Sequence, residues 1–199
     1  MIPVKGEKYQ VSALFDHYSE PKAVFVQKIL RQYPVNKGAD TFSESVCNRK
    51  IERLGIKLLK AMNWYGVAGV EFIVDPRDGI PKLMEVNPRF WASLQLAIFS
   101  GVDFPFLLYK MAVDGSIEEI RNYKIGKKYR WLLPGDILSF LADFHRLKRR
   151  PSFFNFSLNH DITYAILSRY DPGPTIGFAI ATFRYLFSKE MWARTVKRI

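Results

Sequence analysis

The sequence predicts an α+β fold: an antiparallel sheet built from two hairpins, helices packed on one face, and a basic, mostly helical extension beyond residue 115. Three observations predict it. Two apolar runs, Gly66 to Val74 and Pro81 to Asn87, flank Asp75-Pro76-Arg77-Asp78-Gly79, whose Asp, Pro and Gly mark a turn. A helical repeat of Ile51, Leu54, Leu58 and Met62 precedes them, with Lys and Arg on the opposite side. Charge is also uneven. Residues 1–115 hold 15 Lys plus Arg against 12 Asp plus Glu, whereas residues 116–199 hold 15 against 7.

In chain order, Tyr9, Val11, Ala13 and Phe15 alternate with Lys8, Gln10, Ser12 and Leu14, which predicts a half-buried strand over residues 8–16. His17 to Pro21 supplies a turn, and Ala23 to Gln27 reads as the returning strand. Lys28 and Arg31 follow at its end. From Asp40 to Asn63 the pattern predicts a helix, with Asp40 or Thr41 as its cap and Glu44 in support. After the second hairpin, Phe90 to Ser100 and Phe104 to Val113 read as helices closed by Gly101 and by Asp114-Gly115.

The hairpin around Asp78 carries the chemistry. A loop centred there sets Glu71 opposite Glu85, and two like charges in that position repel. Alternation places Glu85 and Asn87 on one face, with Arg89 following if the chain stays extended. Two carboxylates and a carboxamide are hard oxygen donors of the kind that suits Mg²⁺, which keeps several waters and takes the rest of its shell from substrate phosphates. A register one residue off would instead turn both acids to solvent, the commoner fate of a strand Glu. Spacing leaves both readings open.

The run VAGVEFIVDPRDGIPKLMEVNPRFWASLQLA resembles the carboxy-terminal half of the ATP-grasp fold, in its carboxylate-amine ligase and carbamoyl-phosphate-synthase-like branch. The resemblance extends upstream to the Tyr9–Asp16 strand and to Lys28–Pro34, and downstream to about Gly115. It implies that Glu71, Glu85 and Asn87 hold Mg²⁺ (or Mn²⁺), that Arg89 is the catalytic cation meeting an acyl-phosphate or the attacking substrate, and that Lys28 or Arg31 contacts the ATP phosphates. It implies ATP as cosubstrate and a small carboxylate and amine as the ligated pair. In that family a first subdomain carrying phosphate-binding lysines precedes the Tyr9 strand. Residues 1–115 are therefore expected to be the carboxy-terminal half of an ATP-grasp domain, a half-site with little activity alone, and its face to be open to solvent.

Composition sets the remaining bounds. A chain of 199 residues with 48% hydrophobic content can bury a real core. One Cys, Cys47, placed in a polar helix face, excludes an internal disulfide and fits a reducing compartment. MIPVKGEKYQ has no apolar core of a signal peptide, so a cytoplasmic setting is expected. The 116–199 extension, with Arg146-Leu147-Lys148-Arg149-Arg150, the aromatic run from Phe153 and an apolar stretch from Thr175 to Phe187, reads as packing on the first part or on a partner. Peripheral contact with an anionic membrane is a second reading. A non-catalytic module using this tail on membrane or nucleic acid is the alternative to ligase function, although no zinc spacing, RNP-like motif or recognition helix specifies nucleic acid. His17, His145 and His160 fall in no metal-ligand spacing.

Overall fold

The computed structural model describes residues 6–34, 38–142, 152–154, 161–167 and 171–186. The sequence clusters Arg146–Arg150, His145 and His160 lie outside them. Seven strands form one sheet in the order β5-β4-β1-β2-β3-β6-β7, where β1 is Glu7–Phe15, β2 Pro21–Tyr33, β3 Ala39–Ser45, β4 Gly66–Val74, β5 Pro81–Asn87, β6 Lys128–Arg130 and β7 Ile162–Tyr164. Neighbours are antiparallel except β6 and β7, which are parallel. The helices are α1 Arg49–Ala61, α2 Leu94–Ser100, α3 Phe104–Asp114, α4 Ile137–Ala142 and α5 Gly173–Leu186, with a helical turn Leu132–Asp136 leading into α4.

The α+β class and both hairpins are as the sequence predicts. Three details differ. Helices cover both faces of the sheet rather than one. Val11, Ala13, Phe15, Val24, Val26, Ala68 and Val70 pack with Ile51 and Leu59 of α1, while Leu14, Ala23 and Phe25 pack with Trp91, Leu96, Ala97, Phe104 and Leu107. Residues 8–15 are consequently buried on both sides of the strand, including Lys8, Gln10 and Ser12.

Second, residues 39–45 are not the start of a helix. They form β3, held by β2 on one side and β6 on the other. The helix begins nine residues beyond Asp40, at Arg49, where Asn48 Oδ1 accepts from Ile51 N at 3.2 Å and caps it. Cys47 thus precedes the helix, exposed and free. Asp, Ser and Thr serve both caps and buried polar strands, so short-range pattern did not separate the two. Third, α2 starts at Leu94 rather than Phe90; Phe90 and Trp91 lie in the link from β5, and Trp91 packs edge-on against Phe104 at 5.1 Å. Gly101 and Gly115 close α2 and α3 with left-handed backbones (φ 105° and 78°), a conformation glycine adopts without steric cost.

Beyond residue 115 the chain returns to the sheet. Ile120 bridges Ala23, and β6 pairs with β3. There Arg130, fully buried, donates to Asp136 at 2.7 Å, and Arg31 donates to the same carboxylate at 2.6 and 2.8 Å. Both guanidinium groups lie over the Phe42 ring. One carboxylate between two arginines therefore joins β2, β6 and the turn before α4.

Candidate functional site

The hairpin β4–β5 has the register that a loop centred on Asp78 requires near its base: Gly69 is opposite Asn87, Val70 opposite Val86, and Glu71 opposite Glu85. Toward the turn the register slips by one, with Phe72 opposite Leu83, so Met84 is the extra residue of a bulge. The turn is held by Asp75, whose buried carboxylate accepts from the Arg77 and Lys82 side chains and from Arg77 N. These donors hold the Asp75 carboxyl well below the usual carboxylate range, so the turn is pinned by charge.

Glu71, Glu85, Asn87 and Arg89 line one cleft of about 510 Å³, together with Lys8, Gln32, Asp40, Met84 and Trp91. Glu85 and Arg89 are exposed whereas Glu71 and Asn87 are partly buried, so the expected solvent-open face holds for Glu85 and Arg89 alone. Asn87 Nδ2 donates to Glu85 Oε1 at 2.7 Å, which orients the carboxamide beside the carboxylate. Arg89 rests on the carbonyl of Phe90 at 3.1 Å. Trp91, wedged into the core, and the bond from Tyr129 Oη to the Ala92 carbonyl at 3.2 Å fix the chain just beyond it. Gly69 leaves room for Gln10: a Cβ there would lie 3.0 Å from Gln10 Nε2.

The electrostatics follow from burial. The Glu71 carboxyl is pushed up to about 7, first by burial, then by the charges of Asp40 and Glu85, with Lys8 pulling the other way. Asp40, buried deeper, is pushed up to about 6, chiefly by burial; its bonds with Gln32 and Ser93 resist the shift. Asp40 is the centre of a buried network. Gln27 Nε2 donates to it at 3.0 Å, Gln32 Nε2 at 3.3 Å and Ser93 Oγ at 3.3 Å, and Lys8 Nζ donates to Gln32 Oε1 at 2.7 Å. Burial lowers the Lys8 ammonium below its ordinary value, against the attraction of Glu71, Asp40 and Glu85.

No motif in the sequence marks Lys8, Gln32 or Asp40 as functional. Polar residues at alternate positions of an apolar strand were the available signal for Lys8, Gln10 and Ser12, and their burial is what makes it meaningful. Lys28 and Arg31, in contrast, are not brought to this cleft. Lys28 is paired with Glu7 and lies over the Tyr9 ring, and Arg31 is engaged by Asp136 and Phe42. Among the described residues no group of three or more His, Cys, Asp or Glu side chains is arranged to hold a metal ion. The candidate donors in the cleft are the Glu71 and Glu85 carboxylates and the Asn87 carboxamide. Two opposed acids, one destabilised as an anion by burial and by its neighbours, fit a hard divalent cation that completes its shell with waters and phosphate oxygens.

Known proteins share this arrangement of strands. The family described as ATP-grasp in the biosynthetic pathway with Ter operon matches residues 25–133, more than half of the chain. The carbamoyl phosphate synthase large chain of Methanothermobacter thermautotrophicus is 33% identical over 76 residues, covering 38% of this chain and 7% of that protein. Two solved structures share the fold. A biotin carboxylase β-γ-ATP complex from Campylobacter jejuni superposes with a TM-score of 0.51 at 18% identity, over 62% of this chain and 28% of its own. Pyruvate carboxylase from Rhizobium etli does so with a TM-score of 0.52 at 16% identity, over 64% and 14%. The chain thus spans well under a third of each of these relatives. It belongs to the ATP-grasp superfamily, as the resemblance to the carboxylate-amine ligase branch implied, and carries part of that fold.

Proposed function

We propose that this chain forms the metal-side wall of an ATP- and Mg²⁺-dependent carboxylate-amine ligase site. The observation that carries the reading is the cross-strand opposition of Glu71 and Glu85 in a cleft shared with Asn87 and Arg89. Glu71, Glu85 and Asn87 would hold Mg²⁺ (or Mn²⁺), whose charge, when bound, neutralises the nucleotide phosphates. In the reaction a carboxylate oxygen attacks the γ-phosphorus and ADP leaves; the amine then attacks the acyl carbon, phosphate leaves, and the nitrogen loses a proton.

Arg89 is the catalytic residue of this reading. Its exposed guanidinium at the rim presents donors to a phosphoryl or acyl-phosphate anion as negative charge develops. Lys8 lines the same cleft, so we assign the inner anion-facing position to Lys8 rather than to Lys28 and Arg31. Asp40, through Gln32, holds Lys8 in place. Because the chain spans 7% and 28% of two relatives, turnover is assigned to an assembly holding the remaining ATP-grasp elements, in a cytoplasmic setting. The isolated chain is expected to show little amine-dependent ADP release.

Mn²⁺ binding followed by electron paramagnetic resonance tests the metal wall. Wild type at pH 8 is expected to bind Mn²⁺ at least about tenfold more tightly than Glu85→Gln, the loss that follows from removing one anionic ligand. Equal binding by the two proteins ends the metal assignment. Robust ligase turnover by the isolated chain, lost in Glu85→Gln, ends the half-site reading while keeping the ligands.

A further inference from the structure

Helix α1 carries the positive surplus of the first 115 residues. That part of the chain holds 15 Lys plus Arg against 12 acids, and residues 46–65 supply five of those cations, Arg49, Lys50, Arg53, Lys57 and Lys60, against Glu52 alone. At 3.6 residues per turn all five fall within about 100° of the helix circumference. Ile51, Gly55 and Leu59 hold the opposite side in the core. Arg49 is paired with Glu52 at 3.1 Å and Lys60 with Glu20 at 2.6 Å. Lys50, Arg53 and Lys57, spaced three and four apart, are exposed and meet no acid among the described residues. They span about 10 Å, the length of about three nucleotides of a stacked strand.

A second feature lies at the end of this row. Lys60 reaches Glu20 in the β1–β2 turn, and Phe15 before that turn pairs with Gly66. The turn and the link from α1 to β4 are therefore neighbours, and each presents a tyrosine: Tyr18 is 75% exposed and Tyr65 61%. Asp16 Oδ1 accepts from Tyr18 N and Glu20 N at 2.9 Å each, which fixes the turn, and the Tyr18 ring lies 3.9 Å from that of His17. Cations in a row that leads to exposed aromatic rings are the elements with which proteins hold a single strand, phosphates on the charges and bases on the rings. A second copy of the chain would set like charge against like. An interfacial lipid helix needs an apolar face to insert, whereas Ile51 and Leu59 are 1% and 0% exposed inside the protein.

We propose that the outer face of α1 binds single-stranded nucleic acid without sequence preference, with Lys50, Arg53 and Lys57 on the phosphates and Tyr18 and Tyr65 stacking on bases. The site does not depend on the ligase reading. Helix α1 packs on Val11, Ala13 and Phe15, while Lys8, which lines the Glu71–Glu85 cleft, projects from the other side of β1.

Fluorescence anisotropy of the full chain with a labelled oligothymidylate of about 15 nucleotides tests it. Wild type is expected to bind, more weakly as salt rises. Lys50→Gln, Arg53→Gln and Lys57→Gln together are expected to lower affinity about tenfold or more and to flatten the slope of log affinity against log salt by about 2, the share of three phosphate contacts. All three positions are exposed and Gln keeps helix propensity, so circular dichroism and the urea midpoint are expected to stay unchanged. Tyr18→Ala with Tyr65→Ala is expected to lower affinity for the single strand about tenfold and to leave that for a duplex of equal length unmoved. Equal binding by wild type and the triple Gln variant overturns the proposal, because the charge of residues 116–199 then carries the binding. Undiminished single-strand binding by the double Ala variant overturns the assignment of the bases to the tyrosines. Polyglutamate competing as well as oligothymidylate assigns the face to an acidic protein instead. Phosphatidylserine vesicles bound by wild type and lost by the triple variant, with no oligothymidylate bound, assign it to lipid, and either result overturns the proposal.

Discussion

Replacing Glu71 by Gln separates a functional carboxylate from a structural one. In the folded chain the Glu71 carboxyl sits at about 7, against an ordinary 4.5, with burial the largest cause. An acid whose folded value is raised takes up a proton on folding between those two values. Its contribution to stability is therefore most favourable below 4.5, declines as pH rises, and is fully adverse above about 7. A carboxyl displaced that far costs on the order of 3 kcal/mol when ionised, an upper bound because solvent reaches this face of the cleft. Asp40, raised to about 6 beside it, adds a slope of the same sign that ends at lower pH. Gln keeps the shape of Glu, carries no charge, and its amide can donate to Glu85. Urea melts in EDTA are expected to show wild type losing stability from pH 5 to pH 8. Glu71→Gln is expected to match wild type at pH 5 and exceed it by on the order of 1 to 3 kcal/mol at pH 8. Mg²⁺ at pH 8 is expected to restore part of the wild-type loss and to leave the variant unmoved. Two results refute the reasoning. A variant identical to wild type at every pH means that Glu71 is not strained. A loss of roughly 3 kcal/mol at pH 8 means that Glu71 neutralises the buried Lys8 and serves the fold.

Three further changes test the framework that positions the cleft. Asp136→Ala strips the shared carboxylate from the buried Arg130 and from Arg31; an expected loss on the order of 3 to 5 kcal/mol in urea melts follows from two uncompensated cations, and a loss below about 1 kcal/mol argues against it. Gly55→Ala in α1 gains roughly 1 kcal/mol of helix propensity but drives a Cβ to within 2.8 Å of Val11 Cβ. Overpacking of about 1 to 3 kcal/mol is expected to win, so a lowered melting temperature is predicted where a free helix would rise. Asn48→Ala removes the cap of α1 and is expected to cost about 1 kcal/mol by denaturant titration, whereas Asp40→Asn leaves that helix unaltered by circular dichroism.

The sequence by itself determined the features that rest on short-range rules. The β4–β5 hairpin is one, because a five-residue loop signal between two period-two runs sets which residues oppose, and Glu71 met Glu85 as that arithmetic requires. The ends of α2 and α3 are another, since glycine at Gly101 and Gly115 relieves a local steric conflict. The ATP-grasp resemblance came from the same contiguous stretch. Tertiary structure decided what depends on distant partners. Residues 39–45 became a strand because β2 and β6 supply hydrogen bonds on both edges, and β6 lies more than 80 residues further along the chain. Arg31 went to Asp136, 105 residues away, instead of to the cleft. Lys8 and Asp40 entered the site because helices on both faces of the sheet enclose polar residues whose alternation alone reads as one wet face. Burial sets the charge state of a carboxyl, and burial belongs to the packed sheet rather than to any local run of residues.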